Sequence, residues 1–342
     1  MRAVISALSL HKPASRRLGA AAVVLLGSAA AHVVVLLVSG GEWAGPVSLR
    51  KPITFGLSIG MLLWTLGWVI DRLGSRPRLE KGLSRALVIS GLLEVGLITV
   101  QAWRGVPSHF NYATVTDLIV FLFMGVTVAV LSVGLLVTTV LAFSRPPTDP
   151  TIRLAVRAGM VLVVTGLGIG QWMIELGNDF VEQTDRVPDP VLAGEAGVPT
   201  FPHALAFHGI QVFLGAAILA GFAGLAARSA QRVVRLVVAG YSSLMLWAIL
   251  QAAVGQAPVD LAGVQTGLAV AGIALLAAAG IQLLVGWRQV RAEKSAGPVN
   301  GPVDGPVGYP TGALGPVNGP VRYQTGTLEP ARETDTAVPS VL

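Results

Sequence analysis

Glu94-Val-Gly-Leu-Ile-Thr-Val-Gln101-Ala-Trp103-Arg104-Gly105-Val-Pro-Ser108-His109-Phe110-Asn111 is an apolar segment that carries one carboxylate and then passes through a Trp-Arg pair into a small polar turn. Such a run reads as a membrane helix, with Trp103 and Arg104 at its interfacial end. A charge in hydrocarbon costs several kcal/mol unless it is paired, so Glu94 is a candidate functional residue by position alone.

The rest of the chain agrees with a membrane setting. Hydrophobic residues make up 53% of the 342 and charged residues only 12%, about half the charge of a soluble domain. Apolar runs fall at 18–40, 53–71, 84–105, 117–143, 154–176, 203–227, 235–254 and 264–287. Each is near the ~20 residues needed to cross a bilayer. The fold expected is all-α: a polytopic bundle of eight transmembrane helices. Ala29 and Ala31 offer a signal-peptidase pattern in the first run, but its apolar stretch continues through Val33 to Val38, so the helix is read as retained. With no Cys, disulfides and thiolate metal sites are excluded. Gly166, Gly168 and Gly170 form no nucleotide-binding fingerprint, because they lie inside a span, where small residues serve close helix packing.

Alternate connections and the leader hold 18 basic residues, Arg72, Arg76, Arg145, Arg153, Arg228 and Arg288 among them; the opposite connections hold 4, Arg50, Lys51, Arg104 and Arg186. This places both termini in the cytoplasm and the acidic 177–202 loop, with Asp179, Glu182, Asp185, Asp189 and Glu195, outside. The chain divides into a basic cytoplasmic leader (1–17), the eight-helix domain (18–287) and a cytoplasmic tail (288–342). From 297 the tail repeats Gly-Pro-Val, a composition that buries no core and reads as disordered. The implied setting is a bacterial plasma membrane crossed many times. The lipid bilayer is the expected partner. The net charge of +6 lies in short loops and is no nucleic-acid signal, and protein partners are not indicated.

Polar residues within the spans gather toward the outer side. Glu94 lies about ten residues from either end of its helix and His32 about 12 Å from the outer end of the first. Gln101 shares a face with Glu94, and Gln171 shares one with Glu175. His203, His208 and Gln211 enter from the sixth span, and Arg104, Ser108, His109 and Asn111 from the polar turn. Thr116 or Asp117 is expected to cap the fourth helix. Three readings fit this set. Imidazoles plus a carboxylate suit a metal ion or haem iron, with His109, His203 and His208 as ligands, although the five-residue spacing of His203 and His208 is not that of a helical zinc pair. They also suit the proton relay of a small-solute transporter. The third reading is a structural or assembly protein whose polar core is satisfied internally. If the residues form one site, Glu94 approaches His32 or His208, or bonds to Gln171, Gln211 or Arg104.

Four patches, Lys51-Pro52-x-x-Phe55-x-x-Ser58, Glu94 with Gln101, Arg104-Gly105-x-x-Ser108-His109-Phe110-Asn111 with Thr114 and Asp117, and His203-x4-His208-x-x-Gln211, resemble an uncharacterised family of bacterial multi-span membrane proteins. The resemblance implies an eight-helix-type membrane fold with a shared outer-side site; it implies no activity, and the repeat tail lies outside it.

The basic asymmetry predicts topology directly. A reporter fused after Arg291 should be active only in the cytoplasm, and one inserted near Glu195 only outside. Reversed signals would overturn the orientation.

Overall fold

A computed structural model describes residues 8–41, 43, 45, 47–184, 186, 196–257, 259–261 and 263–295, the side chains of 293 and 294 apart. Among these, eight helices are long and apolar enough to cross a membrane: α1 (Pro13–Ser39), α2 (Arg50–Arg72), α3 (Pro77–Trp103), α4 (Val115–Ser144), α5 (Pro150–Thr184), α6 (Thr200–Phe222), α7 (Ala227–Ala253) and α8 (Thr266–Ser295). The protein is a polytopic helical membrane bundle. The repeat tail, the first seven residues, Asp185, Asp189 and Glu195 lie outside the described residues.

Local chemistry sets the helix ends. Pro13 and Pro77 open α1 and α3, where a missing N–H is harmless. Gly40 closes α1 in the left-handed region at φ 63°. The cap of α4 is Thr114, not Thr116 or Asp117 as expected. Its hydroxyl accepts from the Asp117 N–H at 3.1 Å and donates to Asp117 Oδ2 at 2.7 Å, so Asp117 is the third residue of a reciprocal cap. Hydropathy also misplaced several ends: α3 and α7 begin at Pro77 and Ala227 rather than at 84 and 235, and α8 runs on to Ser295 rather than 287. α5 runs to Thr184 rather than 176, because its last two turns are polar but contain no breaker strong enough to stop a helix. α6 stops at Phe222 rather than 227, because Gly224 takes φ 69°.

The helices fall into two sets of four with one plan. α2, α3 and α4 have 23, 27 and 30 residues, and α6, α7 and α8 repeat those lengths. α2 and α6 start 150 residues apart, as do α3 and α7. In the first set α1 packs on α2 and α3, α2 on α3, and α3 on α4; in the second α5 packs on α6 and α7, α6 on α7, and α7 on α8. Sparse identities follow the same offset: Pro52 and Pro202, Arg78 and Arg228, Arg85 and Arg235, Gln101-Ala102 and Gln251-Ala252, Gly105 and Gly255. The ends of α3 and α7 match bond for bond. Arg104 and Val254 N–H groups donate to Val100 and Leu250, Gly105 and Gly255 to Ala102 and Ala252, and Val106 and Gln256 to Gln101 and Gln251. Gly105 and Gly255 take φ 70° and 74°. Because each set crosses the membrane four times, the two run in the same sense. They meet where α4 packs on α5 and where α2 touches α6.

Close packing relies on small residues, as membrane helices require when apolar side chains gain nothing by leaving lipid. Gly166 and Gly170 of α5 lie against Phe207 and His203 of α6, as the sequence reading had it, while Gly168 faces open space. In α7 and α8, Gly240 and Gly272 face each other. A Cβ on either would lie 2.8 Å from the other's carbonyl oxygen. Gly240→Ala should therefore cost about 1–3 kcal/mol by overpacking, seen as a lowered unfolding midpoint in detergent. Gly215→Ala, where a Cβ meets nothing within 4 Å, should be neutral or stabilising by up to ~1 kcal/mol.

Candidate functional site

At the end of the bundle with few basic residues, the candidate side chains separate into distinct settings. Gln101 is fully buried. Its Nε2 donates to Asp117 Oδ1 at 3.1 Å, and its Oε1 accepts from Arg104, which also pairs with Asp117 Oδ1 at 2.7 Å. The α3–α4 connection is thereby clamped. Gln251 does the equivalent in the second half: Nε2 donates to the Ala257 and Asp260 carbonyls, and Oε1 accepts from Gln265. A glutamine that anchors the same connection in both halves is structural. Asn111 is structural too, donating to Pro107 O and accepting from the Ala113 N–H.

His32 is fully engaged. Its Nδ1 donates to Ser28 O at 2.7 Å and its Nε2 accepts from Trp103 Nε1 at 3.0 Å, so neither nitrogen is left for a metal. Trp103 is 63% exposed yet ties α3 to α1 through this bond, beyond any anchoring role at the interface.

Glu94 lies in the interior at 1% exposure, and its partner is Thr127 of α4 rather than an imidazole, Gln171, Gln211 or Arg104. The expected approach to His32 or His208 does not occur, because α3 directs this face toward α4. Thr127 Oγ1 reaches Glu94 Oε2 at 2.5 Å and Met124 O at 2.8 Å, and it has one proton to give. Glu94 Oε1 has no partner.

His109 sits in an aromatic box. Phe55, Phe110 and Phe121 lie 5.9, 6.5 and 6.2 Å from its ring, and Ser108 Oγ is 2.9 Å from Nδ1. Burial, with the nearby Lys51 ammonium adding to it, lowers its pKa to about 3, so it stays neutral across the physiological range. Phe110 holds the box at φ 55°, and its ring fills the space a side chain at Gly177 of α5 would take. Ser48, Ser108 and Lys51 line a tight crevice with Ile98 and Ala102.

The remaining groups belong to α5 and α6. Ser58 of α2 and His208 are hydrogen-bonded, Oγ to Nε2, at 3.1 Å. Below them, with the Gln211 amide nitrogen facing the Phe207 and His208 carbonyls, its oxygen lies 3.2 Å from Thr65 Oγ1, a hydroxyl that also reaches Met61 O at 2.8 Å. His203 packs edge-on against Phe207 at 4.9 Å and its buried Nδ1 is unpartnered. Gln171 and Glu175 bond each other at 3.3 Å, exposed on α5. Among the described residues no three His, Asp or Glu side chains gather as a metal would need, and His109, His203 and His208 do not form a common ligand set.

Sequence reasoning undervalued Ser58, Thr65 and Thr127, the hydroxyl partners of the conspicuous residues. It also missed a knot at the opposite end. Asp71 accepts from His11 and Lys12 N–H, His11 Nδ1 and Ser15 Oγ. Lys12 Nζ caps the end of α2 through Ile70 O and Leu73 O and reaches Glu80 Oε1 at 2.7 Å. Two acids among so many basic residues were the available signal.

No family model, curated protein or solved structure matches the chain.

Thr127→Val should cost about 1–3 kcal/mol in detergent unfolding, because Glu94 then has no partner. Combining it with Glu94→Met should cost clearly less than the sum of the two single changes. Additive costs would show that the two side chains do not interact.

Proposed function

We propose that this chain is a proton-linked carrier of small polar solutes, multi-pass in the bacterial plasma membrane with its basic-rich end in the cytoplasm. The observation that carries the reading is the Ser58–His208 bond. Ser58 and His208 stand 150 residues apart, six residues beyond Pro52 and Pro202, so they are equivalent positions of the two halves. A contact between equivalent positions is what a two-fold relation between like units produces. Parallel repeats related by an axis along the membrane normal are a common carrier plan, with the solute site at the repeat interface near the midplane. Both residues lie eight positions into their helices, roughly 12 Å from the outer end.

The chemistry at this seam suits proton exchange. Histidine changes charge near physiological pH, and a protonated His208 can only donate to Ser58, whereas the neutral ring can accept from it. The bond between the halves therefore changes character with the proton. Gln211 and Thr65 continue the seam inward as neutral hydrogen-bonding groups. A metal or haem centre has less support, since the imidazoles are dispersed; a purely structural role fits Gln101, Gln251 and His32 but leaves His203 Nδ1 and Glu94 Oε1 without partners.

Proteoliposomes loaded with the pH dye pyranine test this. Amino acids, sugars and short carboxylic acids are supplied outside in turn. At least one should drive acidification of wild-type vesicles, and none should do so with His208→Phe. Identical traces for wild type and His208→Phe with every solute, both proteins being folded by thermal unfolding, would contradict the proposal.

A further inference from the structure

At the basic-rich end, residues 8–10, the first turns of α1 and Trp64 of α2 line an open groove of about 470 Å³. Leu10, Ala20, Val23 and Trp64 give it almost wholly apolar walls, and Arg16 stands at one end. The groove opens on the lipid-facing side of α1, where Val23 and Val24 are 59% and 60% exposed.

Arg16 differs from its neighbours in having no work inside the fold. Arg17 Nε bonds the Pro13 carbonyl, and Lys12 is held by Glu80 and the end of α2. The two buried carboxylates of this end, Asp71 and Glu80, are engaged by His11, Lys12, Ser15 and Ser75. The Arg16 guanidinium is thus exposed and without a side-chain partner among the described residues, one turn into a helix that begins at the membrane boundary. Its position favours reaching toward headgroups while its stem lies along apolar surface.

We propose that this groove is a binding site for an anionic phospholipid of the basic-rich side, the phosphate on Arg16 and one acyl chain lying along Ala20 and Val23 against Trp64. Charge and shape both select this occupant. A zwitterionic lipid offers the same chain but no net charge to the unpaired cation, and a soluble peptide would have to leave water for a trough that opens into hydrocarbon. Arginine also suits the planar, two-point recognition of a phosphate. The site is separate from the α2–α6 seam and does not depend on the carrier reading.

Lipids with brominated chains quench nearby tryptophan and give the test. The full chain is placed in phosphatidylcholine bilayers that contain the same minor fraction of either brominated phosphatidylglycerol or brominated phosphatidylcholine. Subtracting the signal of Trp64→Phe isolates Trp64 from the other tryptophans. In the wild type, Trp64 should be quenched about fivefold more effectively by the anionic lipid, the preference one interfacial arginine confers. Arg16→Gln should equalise the two lipids, and Arg17→Gln should keep the preference. Equal quenching by both lipids in the wild type, a comparison that needs no Arg variant, would overturn the proposal. So would a preference that survives in Arg16→Gln.

Discussion

A polar group inside hydrocarbon has no water to turn to and must find its partner within the bundle. This constraint sorts the polar residues of the chain by what they do. His32, Gln101, Gln251 and Asp117 are matched by partners on neighbouring helices or in the adjoining connections, and they fasten helix ends and connections. Glu94, His203 and His208 are different. Glu94 and His203 each keep an unpartnered buried atom, as do Trp247 and Thr266, and His208 bonds across the boundary between two sets of helices. Imperfect satisfaction is expensive in such a setting, and it marks where function is worth looking for.

The second organising fact is repetition. Equal lengths of the last three helices, a common packing order and the same three-bond termination at Gly105 and Gly255 give two four-helix halves of one plan. Repetition helps to separate structure from function. What both halves retain, such as the buried glutamine at the end of the third helix, is needed to build the unit. What only one half carries is free to differ: Glu94 has Leu244 as its counterpart, and Ser58 has His208. The polar asymmetry of the molecule is therefore concentrated on a few positions of an otherwise duplicated scaffold.

The spans were legible because hydropathy and length suffice for a membrane helix. Their ends were less so, since polar turns at either end of α5 remain helical, and α6 is stopped by a backbone conformation at Gly224. The candidate residues were legible as individuals because charge and imidazole are rare in apolar runs. Their grouping was not. Depth along a helix can be estimated from sequence, but the direction a face takes depends on which helices are neighbours, so Glu94 was paired with histidines when Thr127 was its partner. Hydroxyl side chains such as Ser58, Thr65 and Thr127 escape notice because they usually bond their own helix. The repeat was present at a fixed offset of 150, but its few identities emerge only once the helix lengths are known.

In the carrier we propose, the two like halves meet at Ser58 and His208 and move against each other as His208 gains and loses a proton. The absence of cysteine from the natural chain makes a direct measurement simple. Thr54→Cys and Ala204→Cys, equivalent positions near the basic-poor ends of α2 and α6, can be spin-labelled and their separation read by pulsed electron resonance in bilayers at acidic and alkaline pH. Two distances whose proportions shift with pH, reduced to one pH-independent distance in His208→Phe, are the expected result. A single narrow distance in the wild type, unchanged by pH, would contradict the claim and leave the bundle a fixed structural element.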